Sequence, residues 1–524
     1  MGNRFLSLMA GGLLLPGCFG QAAFAQEQSA AASPVVVAQR AVAQDGIAQS
    51  GSISSSSGEV DEITAEIIRK QLDLQKLNTS LKLHQLPRVW ATRSWALVNL
   101  ANVSLTATGA YLNGISRYRY LHDPAKAPKA VFEHAAWLRV TANMITLGSS
   151  IFESSWLAMG DYMDHRRGLD LRAMRGFVSH LRTDIDSLLV QRAAVLAVAN
   201  VSPDERQLYE SEGVLLKDVR NLSLNEFARF YCDAKANKAA MFVAYFMAGT
   251  INALAASGGI TGNAAAALKH HTAHYKIRLG GYGGIADSIA GSMNQSVPLV
   301  LALSAKHARL RSRKSICQEL DCQEPAQLDA FHDHQTQFHQ LVASKRQPGV
   351  HGAVLYDGVF QEEAAIFDEH EKLRLGDQRA ARRRLADQLI FSAGIGAPKA
   401  INGIGITVGA YKYTNNDHER FTAFGAPAIV YGIGYSLAAA ELLRYQTTNE
   451  IHNYKAKKAG TDQGQVLKRE IAQLDQLTNN LQKNRRVGMF TLPKLETNLL
   501  DSIEPQRHAS ETSTANVPIA AVEQ

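Results

Sequence analysis

The chain has 524 residues, with 55 Lys and Arg against 48 Asp and Glu for a net charge of +7. Apolar residues make up 46% of it and charged residues 20%; the bases are scattered rather than gathered among aromatics, which argues against a nucleic-acid surface and for membrane-flanking or solvated charge. Of four cysteines, Cys18 falls in the leader; the odd remainder, Cys232, Cys317 and Cys322, argues against a disulfide framework, although Cys317 and Cys322 could pair in an oxidising compartment.

Residues 1–25 read as a signal peptide: Arg4, an apolar run from Phe5 to Leu15, and Ala23-Phe24-Ala25 before Gln26. Two other readings use the same residues, an uncleaved anchor and a lipoprotein box at Leu15-Pro16-Gly17-Cys18. Residues 26–57, rich in Ala, Gln, Ser and Gly, form a linker with too little apolar surface to offset its ordering entropy.

Helical periodicity begins at Val60 and runs through Ile63, Ile67, Leu74, Leu77 and Leu81, interrupted by Lys70 and His84 and ended near Pro87. Apolar segments at 94–116 and 137–160 follow, each about the length of a bilayer crossing. Next comes a heptad pattern at Leu171, Met174, Val178, Leu181, Ile185, Leu188 and Val195, with Arg192 its one polar intruder. The same order recurs twice. Segments 239–262 and 283–305 precede Leu328, Phe331, Phe338 and Val342; segments 388–411 and 423–443 precede Leu467, Ile471, Leu474 and Leu481.

Register supports a threefold repeat. Asn102, Asn252 and Asn402 stand 150 residues apart, each followed seven residues later by Gly109, Gly259 or Gly409; Gly148, Gly291 and Gly434 stand 143 apart. The division read from this is residues 58–200, 201–350 and 351–485 as helical repeats, and 486–524 as a disordered tail. The fold class is all-α: three repeated Gly/Ala-rich, transmembrane-like hairpins joined to long amphipathic, coiled-coil-like helices.

Small residues favour close helix packing in lipid, whereas Glu153, Lys399 and Glu441 inside the segments oppose it, a central charge costing about 2.5–3.5 kcal/mol. Lys399 and Glu441, on paired arms of the third hairpin, could form an ion pair or line a polar path. Topology is contradictory. The signal places the helical linkers outside, but their basic flanks (Arg166 and Arg167; Lys306 to Lys314; Arg382 to Arg384) obey positive-inside rules for the opposite side.

His270, His271 and His274 form H-H-x-x-H without the base of a zincin, and read as a solvated turn. His332, His334 and His339 lie on a helix whose packing stripe is Phe331 and Phe338, and read as non-ligands. Glu362, Glu363, Asp368, Glu369 and Glu371 read as a solvated acidic face. Gly403, Gly405 and Gly409 lack the strand and Lys-Ser/Thr of a phosphate loop. No catalytic, cofactor-binding or metal-binding residue is assigned, and no cofactor is expected.

The functional expectation is an exported helical cell-envelope protein, membrane-associated, in the inner membrane or periplasm or secreted, with a non-enzymatic scaffolding or assembly role. Its partners would be membrane lipid, with copies of itself or other envelope proteins docking on the heptad helices, and no nucleic acid. The alternatives are a secreted pore-forming or membrane-inserting protein, and an enzyme with a histidine-based metal site.

Overall fold

In the computed structural model the described residues are 56–484, apart from 85, 87–88, 124–128, 167–169, 268–271, 323–327 and 345–350. The leader, nearly all of the 26–57 linker and the 486–524 tail therefore lie outside the described residues. Those described form ten helices and no strand: α1 Ser56–His84, α2 Val89–His122, α3 Lys129–Arg166, α4 Leu171–Val198, α5 Pro203–Ala267, α6 Ala273–Leu320, α7 Leu328–Ser344, α8 His351–Tyr411, α9 Asp417–Ala459 and α10 Gln463–Asn484. The all-α fold that the periodicity predicts is the fold observed.

Local chemistry fixes several helix ends. Ahead of α5, Ser202 and Glu205 exchange hydrogen bonds in a capping box, with Pro203 as the first helical residue. Asp170, Thr272 and Asn416 cap α4, α6 and α9 by accepting from backbone N–H groups that have no partner in the helix. Gly460 closes α9 at φ +69°, where a side chain would be strained.

At about 1.5 Å per residue, α5 and α8 are each roughly 90 Å or more long, so each serves two packing regions. The first region is a head built around α1. α4, α5 and α10 pack on α1, while α7 braces α5 against α8. α1 is buried along most of its length, with Ile63, Ile67, Ile68, Leu72, Leu74 and Leu77 almost fully covered, each side chain contributing about 1.5–3 kcal/mol. The predicted stripes are the ones buried: Met174, Val178 and Ile185 on α4, Phe331 and Phe338 on α7, and Leu467 and Leu474 on α10.

The second region is a ring of six helix segments. Three hairpins, α2/α3, α5/α6 and α8/α9, stand side by side; α3 packs on α5, α6 on α8, and α9 returns to α2, closing the circle. Small residues set the spacing. A Cβ added at Gly258 would lie 2.8 Å from the Gly283 carbonyl oxygen, one at Gly291 would lie 2.7 Å from the Gly396 oxygen, and one at Gly405 would lie 2.5 Å from the Ala423 oxygen. These backbones approach too closely for any larger residue.

Positions in the 150-residue register do not share contacts. Asn102 donates to the Thr146 hydroxyl, Asn252 to the Ala248 carbonyl of its own helix, and Asn402 is fully buried with neither. Gly109 meets α3 of its own hairpin, Gly259 meets Val140 of the preceding hairpin, and Gly409 meets Phe424. Three consecutive hairpins are present, but the arms are not used interchangeably.

Candidate functional site: a buried ionic centre in the ring

The ring differs from the head most in its exterior, which carries large apolar side chains around an interior that includes charged ones. Arg139, Asn143, Thr146 and Ser150 fall four, three and four residues apart, which puts them on one face of α3, and all are buried. The opposite face presents Trp137, Met144, Ile151, Phe152 and Trp156 to the outside. Asn143 and Ser150 donate to carbonyls one turn back, at 2.7 and 2.9 Å, and so remain satisfied within a helix that supplies no water. On the other arms Phe242, Leu299, Ile404 and Leu437 point outward.

Inside the ring, Arg139 of α3 donates to Asp287 of α6 in a buried ion pair joining the first and second hairpins. The third hairpin packs on both: the Arg139 guanidinium lies 5.2 Å from the Tyr431 ring centroid, and Tyr431 meets Tyr435 edge to face at 4.6 Å. Lys399 of α8 is 2% exposed, and the charges acting on it are Asp287 and Arg139. Near the hairpin end of the ring, Arg117 stacks 4.4 Å over the Phe424 ring.

The expected pairing of Lys399 with Glu441 is corrected. Glu441 lies on the outer side of α9 and pairs with Arg444 one turn later, at 2.8 Å through Nε. A pair within one turn needs no tertiary geometry, so it captures Glu441 first. Glu153 accepts from Ser149 at 3.0 Å and lies beside Tyr245. Arg139 and Asp287 were not singled out from sequence, although Arg139 with Asn143, Thr146 and Ser150 forms a helical-period polar stripe inside an apolar run. That stripe is a local signal; the distance of 148 residues between Arg139 and Asp287 hides their pairing.

The head contains a second buried network. Lys82 and His370 both pair with Glu226, and His370 also bonds Glu470 at 2.7 Å. Burial opposes the charged imidazole, but Glu226 and the hydrogen bonds to Glu226 and Glu470 outweigh it, pushing His370 up to about 9. Burial works against the Glu226 carboxylate too, yet His370 and Lys82 hold it well below its ordinary range. Glu363, read as solvated, is fully buried; desolvation pushes it up to about 8 against the opposing hydrogen bond from Gln75. Its helix face explains the correction, since Glu363 lies three residues after Phe360 and four before Phe367, both core residues. Arg192, the intruder in the α4 heptad, reaches Glu212 at 2.8 Å, Thr64 at 2.8 Å and the Tyr209 carbonyl at 2.9 Å.

The histidines of α7 point to three separate carboxylates: His332 to Asp368 at 3.0 Å, His334 to Asp218 at 2.7 Å, and His339 to Asp357 at 2.7 Å. They tie α7 to α5 and α8 and do not converge on one point; among the described residues no group of three His, Cys, Asp or Glu is placed to hold a metal. His274 is exposed, while His270 and His271 lie outside the described residues. Cys232, Cys317 and Cys322 are free thiols, and burial raises Cys232 to about 11 and Cys322 to about 12.

Three segments, Pro203–Ala264, Gly352–Tyr411 and Asp417–Lys483, are long and apolar enough to cross a membrane, with only 22%, 28% and 39% of their most apolar windows buried inside the protein. Comparison of the chain with protein-family models, with curated proteins and with solved structures returns no match.

Proposed function

We propose that the hairpin ring is embedded in a bilayer and that the head projects from it as a non-enzymatic scaffold of the cell envelope. The observation that carries this reading is the apolar exterior of the ring, where tryptophan, phenylalanine, leucine and isoleucine face outward while Arg139, Asp287, Lys399 and Asn402 lie inside. In water the outward apolar surface would be a severe aggregation hazard, and in lipid it is the favoured arrangement. Inward placement also removes the sequence-level objection to Lys399, because charge inside a bundle avoids the hydrocarbon. Export rests on the leader-like residues 1–25, and the scaffolding role on the long amphipathic helices, where Val190, Val198 and Val354 remain exposed on the head.

Fractionation tests the reading. The expressed chain should stay with membranes after alkaline wash and need detergent for release; recovery in a soluble fraction without detergent would contradict it. Orientation follows from single cysteines at Arg311 and Tyr275, both exposed and 36 residues apart on α6, or roughly 54 Å along its axis. In a background with Cys232 changed to Ala and Cys317 and Cys322 to Ser, an impermeant reagent added to one side should label one site and not the other. A pore-forming role gains support from the inward polar stripe of α3, and predicts leakage from dye-loaded vesicles; intact vesicles would count against it.

A further inference from the structure

A buried charge is tolerated when an opposite charge and hydrogen bonds answer it, and is costly otherwise. In the ring, the Arg139 and Lys399 cations face one carboxylate, Asp287, whose Oδ2 is bonded to Arg139 and whose Oδ1 is buried without a hydrogen bond, so one positive charge is in excess. Among the described residues Lys399 has no carboxylate within ion-pair distance, and the two other acids of the segments are engaged elsewhere, Glu153 with Ser149 and Glu441 with Arg444. One turn from Lys399, on the same face of α8, Asn402 is fully buried with neither its amide nitrogen nor its amide oxygen hydrogen-bonded. An amide stripped of water on both sides costs several kcal/mol if nothing answers it.

We infer that this centre binds a small monovalent anion of chloride size, held by the Lys399 ammonium and the Asn402 amide N–H₂ beside the Arg139 guanidinium. The excess of one positive charge sets the valence. Enclosure restricts the size: Lys399, Asn402 and Tyr431 are each 2% exposed or less, and α6 and α8 pack backbone to backbone at Gly291 and Gly396. Donor chemistry sets the sign, since an ammonium and an amide N–H₂ present hydrogens while the nearby Asp287 oxygen repels a misplaced anion. Lys399 lies 12 residues before the end of α8 and Asp287 lies 14 after the start of α6, so both sit roughly 18–21 Å from the hairpin ends, at one level of the ring. The inference stands on the interior of the ring and holds whether lipid or water surrounds it.

The test is the thermal midpoint of the full chain in detergent as sodium chloride replaces sodium gluconate at constant ionic strength. The wild type should show a saturable rise with chloride, reproduced by bromide and not by sulfate. Lys399→Met should abolish the rise, and Asp287→Asn, which adds a second excess positive charge, should lower the half-saturating chloride. If Lys399→Met does not fold, Asn402→Ala decides, with half-saturation raised about tenfold for one lost charge-assisted hydrogen bond. Identical midpoints in chloride and gluconate, or an undiminished chloride response in Lys399→Met or Asn402→Ala, would overturn the site.

Discussion

The head and the ring share two long helices yet present different exteriors: few large apolar side chains are exposed on the head, and many on the ring. In the head, α1 is packed against Leu, Ile and Phe, its buried polar side chains Thr64, Gln71, Gln75 and Asn78 are hydrogen-bonded, and buried ions are paired, as in Arg192 with Glu212 and His370 with Glu226 and Glu470. In the ring the interior holds Arg139, Asp287, Lys399 and Asn402 beneath an apolar exterior, and glycine contacts rather than large side chains set the helix spacing. α5 and α8 change from one regime to the other partway along a continuous helix. Helix periodicity alone therefore does not reveal which face of a helix is inside.

The sharpest way to break the head is through its ions. Arg192→Met leaves Glu212 buried and unpaired, and should cost about 3–5 kcal/mol by denaturant unfolding, whereas adding Glu212→Gln to it should recover most of the loss. A full cost in the double variant would mean that Arg192 acts through packing instead.

The ring should fail by a different route. Gly283→Val drives a side chain into the Gly258 carbonyl, which would lie 2.6 Å from the added Cβ, and should cost about 1–3 kcal/mol or separate α5 from α6. In the head, Gly176 has open space at its Cβ position, so Gly176→Ala should stabilise α4 by about 0.5–1 kcal/mol. Equal responses at the two glycines would erase the contrast.

Much of the head was legible in the sequence. The heptads of α1, α4, α7 and α10 are local patterns, carried by residues within a few turns of one another. Lys399 was equally visible as a lone charge in an apolar run. Its partners were not, because ring closure places α8 beside α6 of another hairpin, and helical phase turns Glu441 outward to Arg444. The Lys82, Glu226, His370 and Glu470 network has no local signature at all, since its members come from α1, α5, α8 and α10. Glu363 stands in an acidic run whose composition suggests solvation, but its helix face is that of Phe360 and Phe367, which is buried.

The pH response separates the regions with a smaller effect. His370 is raised from 6.5 to about 9, so its contribution is complete below pH 6.5 and is lost as pH rises through 9. Glu363, raised from 4.5 to about 8, acts in the same direction: its folded state holds the proton longer, and stability falls as pH rises through 8. Glu226 runs the other way, being stabilising above 4.5 and losing that contribution only in strong acid. Head unfolding between pH 7 and 9.5 should therefore become easier by on the order of 1 kcal/mol per pH unit. Glu363→Gln should flatten the early part of that slope, and an unchanged profile would show that Glu363 is not buried as the acid.

The central claim is that the exterior of the ring meets lipid, and spin-label accessibility tests it most directly. Nitroxides at Phe242, Ile404 and Leu437, one on each of α5, α8 and α9 and each 55–65% exposed, should in liposomes collide readily with dissolved oxygen and scarcely with a water-soluble nickel complex. Free collision of the nickel complex with all three positions would contradict the account and make the ring a water-exposed bundle.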